Sequence, residues 1–475
     1  MIRVFIPKFR SIHHLVVILL IVWIGTFAYH ERLAPGSAAR HCLWPAVQAP
    51  TNVLLVADPQ LIDNHTYPGR FGPLLTLSQH TVDAYLKRNY KALLTSLKPD
   101  YVVFLGDLLD NARDSSDAYF ANEHRRFQGI FQTPYPYQQG SNLLLNTPGN
   151  HDIGFGDGVN QAARTRFINT YGDVNTVTTI ADVDFYSLDS LSYSADAVEI
   201  NHEARAFVGS VGPKSRPRIL LSHVPLYRDS AKSCGPLRES AYMDVAGHGY
   251  QYKNNLDQEL SRTLIQNIQP DVIFSGDDHD YCDIVHAPVD GLETREITVK
   301  SISMAMGIKY PAVQLLSFNS NTTLTYDTQI CYLQTPYINV ANYIFLAVAT
   351  GLLVLLWNIK QKSPRYTYSS ILPMTDEYKP SANARKISNF LKEQDQLDVP
   401  DGPTRTNSSS YYLYSSNSYT TKSSSNSGLS NIFSKAKTAI TVFVRKWNLL
   451  PFFKHSMLLG TLVICIYYFG FILTL

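Results

Sequence analysis

Five short apolar runs, each ending in a cluster of Asp, Asn, His or Gln, constrain this chain more than any other feature. NVLLVA leads into Asp58-Pro59-Gln60, and YVVFL into Gly106-Asp107-Leu108-Leu109-Asp110. LLLNTP leads into Gly149-Asn150-His151-Asp152, RILL into Ser222-His223-Val224-Pro225, and DVIFS into Gly276-Asp277-Asp278-His279-Asp280. Runs this short and this apolar fit strands buried on both faces of a parallel sheet, and the carboxyl ends of such strands open on the ligand crevice. Oxygen and imidazole donors delivered there by five strands are the set that two metal ions require.

Helical spacing fills the intervals. Leu75, Val82, Leu86, Leu93 and Leu97 recur at near-helical steps across 74–97, a crossover of the length that joins parallel strands. Shorter helices are expected over 160–169 and 256–268. The fold class is α/β.

The order and spacing of the five clusters resemble the calcineurin-like metallophosphoesterase superfamily, over about residues 50–330. Gln60 and Asp277 stand where most of that superfamily has His. Those substitutions, the run GDDHDYC and apolar segments on both sides of the domain are similar to the fungal endoplasmic-reticulum phosphodiesterases that remove ethanolamine phosphate from GPI anchors. The resemblance implies two mixed sheets packed face to face with helices outside, a four-layer αββα sandwich. It also implies two divalent cations bridged by Asp107, with Asp58 and His279 on the first and Asn150, His223 and Asp277 on the second. Gln60 then binds weakly through its carbonyl oxygen or stands behind the ligands, as does Asp110. His151 is the implied general acid, with Asp152 orienting its ring. Three carboxylate ligands and a missing imidazole favour manganese, since hard oxygen-rich sites suit it better than zinc.

Weaker candidates surround this set. Asp278, Asp280 and Asp283 could favour a substrate carrying an ammonium group, and His248, in a glycine-flanked loop, could touch its phosphate. The implied partners are a GPI-anchored protein or GPI glycolipid, the membrane, and cargo receptors of export from the endoplasmic reticulum. Hydrolysis of another phosphoester stays open because metal ligands do not specify the leaving group. So does a non-catalytic cargo-binding relic, although Asp58, Asp107, Asn150, His151, His223 and His279 all argue against it.

The flanks read as membrane segments. Residues 15–29 form an apolar stretch behind Arg3, Lys8 and Arg10, either a retained anchor or a cleaved signal peptide; the anchor is favoured because no small-x-small site follows the apolar core. Residues 338–357 carry no charge and have about the twenty residues that cross a bilayer. Lys360, Lys362 and Arg365 follow, so residues 1–14 and the far end of this helix should be cytoplasmic and residues 31–337 luminal. Residues 456–475 form a third span or a re-entrant hairpin. Between them, 358–455 is rich in Ser, Tyr, Asn and Thr and reads as a disordered cytoplasmic loop. The expected location is the endoplasmic-reticulum membrane, with the catalytic domain in the lumen.

Cysteines and sequons agree with an oxidising compartment. Cys42, Cys234, Cys282 and Cys331 lie in the expected luminal part and allow three pairings. We expect Cys42 with Cys331, clasping the ends of the domain, and Cys234 with Cys282, bracing the site. Asn64 and Asn321 head glycosylation sequons. With 41 Lys and Arg against 39 Asp and Glu, no nucleic-acid partner is implied.

Overall fold

The computed structural model describes residues 11–320, 324–361, 437 and 448–473. It divides into two units, Met1–Leu352 with Ser456–Leu475, and Leu353–His455. The described part of the second unit is almost wholly helical. Most of the expected loop 358–455 and the sequon at Asn321 lie outside the described residues, while the two ends of that loop are helical rather than disordered.

The first unit is built on two sheets. Strands β1 (Thr51–Val56), β2 (Tyr101–Phe104) and β3 (Leu143–Leu144) run parallel in one of them. Strands β4 (Thr176–Ile180), β5 (Val183–Leu188) and β6 (Arg218–Ser222) begin the other, and β7 (His248–Gly249) and β8 (Tyr252–Lys253) form a small hairpin. Strands β9 (Val272–Ser275), β10 (Cys282–Val285) and β11 (Arg295–Thr298) complete the second sheet, and β12 (Ala312–Asn319) and β13 (Thr325–Tyr332) the first. The strand orders are β13-β12-β1-β2-β3 and β10-β11-β9-β6-β5-β4. The five apolar runs of the sequence are β1, β2, β3, β6 and β9, so they are shared between the two sheets.

Alternation along each strand produces four layers. Val53, Leu55, Val103, Phe185, Ile219, Leu221, Phe274 and Leu316 fill the space between the sheets. Leu54, Val56, Val102, Phe104, Leu220 and Ile273 point outward and are covered by helices. Helix Gly72–Leu97 packs Val82, Leu86, Tyr90 and Leu93 into that outer layer. The expected helices at 160–169 and 256–268 are Gln161–Tyr171, capped by the Asn160 side chain, and Gln258–Ile268.

Among the described residues, three helices are long and apolar enough to cross a membrane: Ile12–His41, Pro336–Lys360 and Leu449–Ile472. Helix Gly72–Leu97 contacts two of them, near the end of Leu449–Ile472 and in the C-terminal half of Ile12–His41, and the residue two places before Pro336–Lys360. His80 Nδ1 lies 2.6 Å from the Tyr468 hydroxyl, Tyr85 donates to the Gln334 carbonyl at 2.7 Å, and buried Arg88 pairs with Glu31. A buried charge pair of this kind costs about 3–5 kcal/mol to break, because the lost partner strands the other charge. The disulfides Cys42–Cys331 and Cys234–Cys282 are both formed, and Cys465 is free and exposed.

Candidate metal centre

The five clusters meet where the parallel strands end, and the chain bends sharply to bring them there. Asp58, Gln60, Asp107, Asp277 and His279 all have positive φ, between 35° and 67°. Left-handed conformations cost non-glycine residues about 1–3 kcal/mol each and persist where the surroundings enforce them for function. Two glycines make the approach possible. A Cβ on Gly106 would lie 2.5 Å from His223 Nδ1, and one on Gly149 would lie 2.1 Å from Asp107 Oδ1.

Two groups of donors share Asp107. Asp58, Asp107 and His279 each offer a ligand atom within 4.8 Å of the others. On the other side, His223 Nε2 lies 3.2 Å from Asn150 Oδ1, 3.4 Å from Asp277 Oδ1 and 3.5 Å from Asp107 Oδ1. The opposite ring nitrogen of His223, Nδ1, is 2.7 Å from the Leu105 carbonyl and donates to it. That bond fixes the tautomer and leaves Nε2 as a lone-pair donor. All six residues expected as ligands are therefore brought together.

The set fits divalent cations on the structure's own terms. Asp58 Oδ2 and Gln60 Oε1 are buried acceptors with no hydrogen-bond partner among the described residues. Burial pushes the Asp58 carboxyl well above the usual carboxylate range, and the charges of Asp107 and Asp277 add to this against the pull of His223. Burial opposes protonation of His223, but Asp107, Asp277 and Asp58 outweigh it and raise the imidazole well above its usual value. The cluster thus recruits protons to balance its carboxylates, and a bound cation would take that place and release them.

Around the donors, hydrogen bonds set each side chain. Gln60 donates from Nε2 to Asp110 Oδ1 at 3.0 Å, which turns its carbonyl oxygen free. Asp110 also accepts from the Thr66 hydroxyl at 2.6 Å, and its backbone carbonyl takes the His151 Nδ1 hydrogen. The His151 ring is about a quarter exposed, at 26%. Asn150 donates to the Gln251 carbonyl at 3.0 Å, turning its oxygen toward His223, and Arg113 donates to the Asn150 carbonyl at 3.1 Å.

Two expectations need correcting. Asp152 does not orient His151: its buried carboxylate accepts the backbone N–H groups of Gly149, Leu108 and Leu109, and burial with the nearby Asp107 charge pushes it up to about 7. It braces the loop instead, and Asp110 holds the imidazole. Asp278 is paired with Arg238, and Asp280 accepts from Ser240, Tyr281 and Lys300, the last at 2.9 Å. Both carboxylates are thereby paired within the protein rather than left as free charges, and Asp283 is likewise bound to Arg295. His248 is exposed in the hairpin, with Nδ1 2.9 Å from the Ala246 carbonyl.

Arg113, Thr66 and Gln251 escaped the sequence reading. Thr66 was visible only as part of the Asn64 sequon, whose Asn64 is exposed and accepts from Tyr119 at 2.8 Å. Neither Arg113 nor Gln251 carries a local signal, since their roles depend on contacts across long sequence separations.

Comparison with known proteins agrees with the geometry. Residues 51–281 match the family model described as Calcineurin-like phosphoesterase. Cell division control protein 1 of Saccharomyces cerevisiae is 36% identical over 353 residues, covering 69% of this chain and 71% of that protein. Metallophosphoesterase 1 of Ailuropoda melanoleuca is 28% identical over 66% of this chain and 82% of its own length. The Metallophosphoesterase 1 homolog of Caenorhabditis elegans is 26% identical over 69% and 87% respectively. The chain belongs to the calcineurin-like phosphoesterase family and is a metal-dependent phosphoesterase.

Proposed function

We propose that the chain is a membrane-anchored phosphodiesterase that removes ethanolamine phosphate from a mannose of the GPI glycan, on the luminal side of the endoplasmic reticulum. The observation that carries this reading is the altered donor set, with Gln60 and Asp277 in place of imidazoles, on a head flanked by membrane-length helices. The substrate is then the GPI-anchored protein or its glycolipid precursor. Two disulfides in the head support a luminal, oxidising location. The contacts of His80, Tyr85 and Arg88 with Tyr468, Gln334 and Glu31 support the same reading, since the sequence assigns these parts of the chain to the non-cytoplasmic side.

Asp58, Asp107 and His279 would hold one cation, and Asp107, Asn150, His223 and Asp277 the other. Two bound divalent cations supply Lewis acidity at the phosphoryl group and a water of lowered pKa. The protein's own groups do the rest. The Leu105 carbonyl keeps His223 in the metal-binding tautomer, and the Asp107 carboxylate accepts the His151 N–H at 2.9 Å, fixing the backbone that carries the acid. With its Nδ1 hydrogen given to the Asp110 carbonyl, His151 acts as the acid in its imidazolium form, whose second proton, on Nε2, passes to the departing mannose oxygen and leaves the neutral ring.

Manganese is the proposed working metal. Three carboxylates face the two sites, and Gln60 contributes an oxygen where an imidazole would add nitrogen. Purified protein stripped of metal should regain phosphodiesterase activity best with Mn2+, and Asp277→His should move the preference toward Zn2+. Equal or better reactivation of the unmodified protein by Zn2+ across a titration would refute the argument from ligand hardness.

A further inference from the structure

Helix Gly72–Leu97 uses two opposite faces. One buries Val82, Leu86, Tyr90 and Leu93 against the sheet. The other carries His80, Tyr85 and Arg88 to two of the membrane-length helices and the residue two places before the third. Leu74, Leu77, Thr81, Ala84 and Arg88 follow one another at alternating three- and four-residue steps, which places them on one stripe of the helix. The face that meets the membrane helices therefore continues toward the N-terminus onto leucines.

There the stripe outruns its cover. Leu74 is 51% exposed, and Phe71, at the N-cap, 74%. At 1.5 Å per residue, Leu74 lies only about 9 Å along the helix from His80. His80 in turn stacks on Tyr468, with ring centroids 5.6 Å apart, near the end of helix Leu449–Ile472. Tyrosines at the end of a spanning helix sit at headgroup depth. Arg70 lies beside the exposed apolar residues, its guanidinium 3.5 Å from the Tyr67 ring centre. A cation next to exposed aromatic and aliphatic side chains is the pattern of a segment lying in a bilayer interface.

We propose that Phe71 and the Leu74–Leu77 turn insert into the boundary between headgroups and acyl chains, and that phospholipid is what covers this stripe. Continuity with the face already packed on the membrane helices selects lipid over a protein partner. The same peptide begins at the metal donor Asp58, and its Thr66 holds Asp110 beside His151. Insertion therefore keeps the crevice at the membrane surface, where a lipid-tethered phosphoester diffuses in the plane of the enzyme. The inference rests on the three helices spanning a bilayer and not on which phosphoester is cut.

Full-length protein with Cys465→Ser, reconstituted in phosphatidylcholine vesicles, tests it. Nitroxide spin labels are placed singly at Phe71→Cys and Leu74→Cys, and at Val198→Cys, an exposed residue on a helix of the opposite outer layer. Retained phosphodiesterase activity checks that each variant is folded. Labels at 71 and 74 should relax more with oxygen than with a water-soluble nickel chelate, and the label at 198 should do the reverse. Nickel access at 71 and 74 equal to that at 198 would overturn the proposal. So would low access to both probes, which would mean that protein rather than lipid covers the stripe.

Discussion

Asp107→Ala abolishes turnover and strips the protein of metal together. Asp107 is the carboxylate common to both donor groups, and without it Asp58 with His279 and Asn150 with His223 and Asp277 have no shared anion. Two dications bound by the remaining donors would then repel one another uncompensated. The rate loss should exceed the roughly 10²–10³-fold that removing one transition-state hydrogen-bond donor causes. His151→Ala separates the two effects, because its imidazole bonds the Asp110 carbonyl and joins neither donor group. It should keep both metals and lose about 10²–10⁴-fold in rate. Elemental analysis of the purified variants by mass spectrometry reads the difference directly. A metal-free His151→Ala protein would remove its assignment as the acid.

Gly149→Ala gives the second large effect without removing any donor. The new methyl would sit 2.1 Å from Asp107 Oδ1 and 2.2 Å from the Asp107 backbone nitrogen. The nitrogen belongs to the backbone and Oδ1 is held by the His151 N–H, so the loop 149–152 has to move away from the Asp107 carboxylate. Overpacking of this sort costs about 1–3 kcal/mol. It also pulls Asn150 and the Asp107–His151 hydrogen bond out of register. Metal affinity and activity should collapse while the protein still folds, with a modestly lowered Tm. Gly209→Ala, where nothing lies within 4 Å of the new Cβ, serves as the control and should leave both unchanged.

Much of the centre was legible in the sequence because its five polar clusters are read by local rules, while which residues within them are donors was implied by the family resemblance. A strand that ends in Asp or His at a crevice needs only its apolar run and its punctuation, and β1, β2, β3, β6 and β9 all show both. What the local pattern did not reveal is how charges are spent. Asp278 and Asp280 look like free acidic groups beside the site until Arg238 and Lys300, distant in sequence, are seen against them. The same holds for Asp152 and Asp110: both lie within hydrogen-bonding range of the site by sequence, and only the fold decides that Asp152 braces backbone N–H groups and Asp110 faces His151. Helix Gly72–Leu97 was found from its core-facing leucines, yet its opposite face made sense only once Tyr468, Gln334 and Glu31 were found against it.

The reading as a GPI phosphodiesterase is tested most directly by mass spectrometry of GPI glycans released from cells with and without the chain. Cells lacking it should accumulate glycans that carry one additional ethanolamine phosphate on a mannose. Re-expression of the unmodified protein should clear them, and re-expression of Asp107→Ala should not. Identical glycan profiles in the presence and absence of the protein would contradict the account.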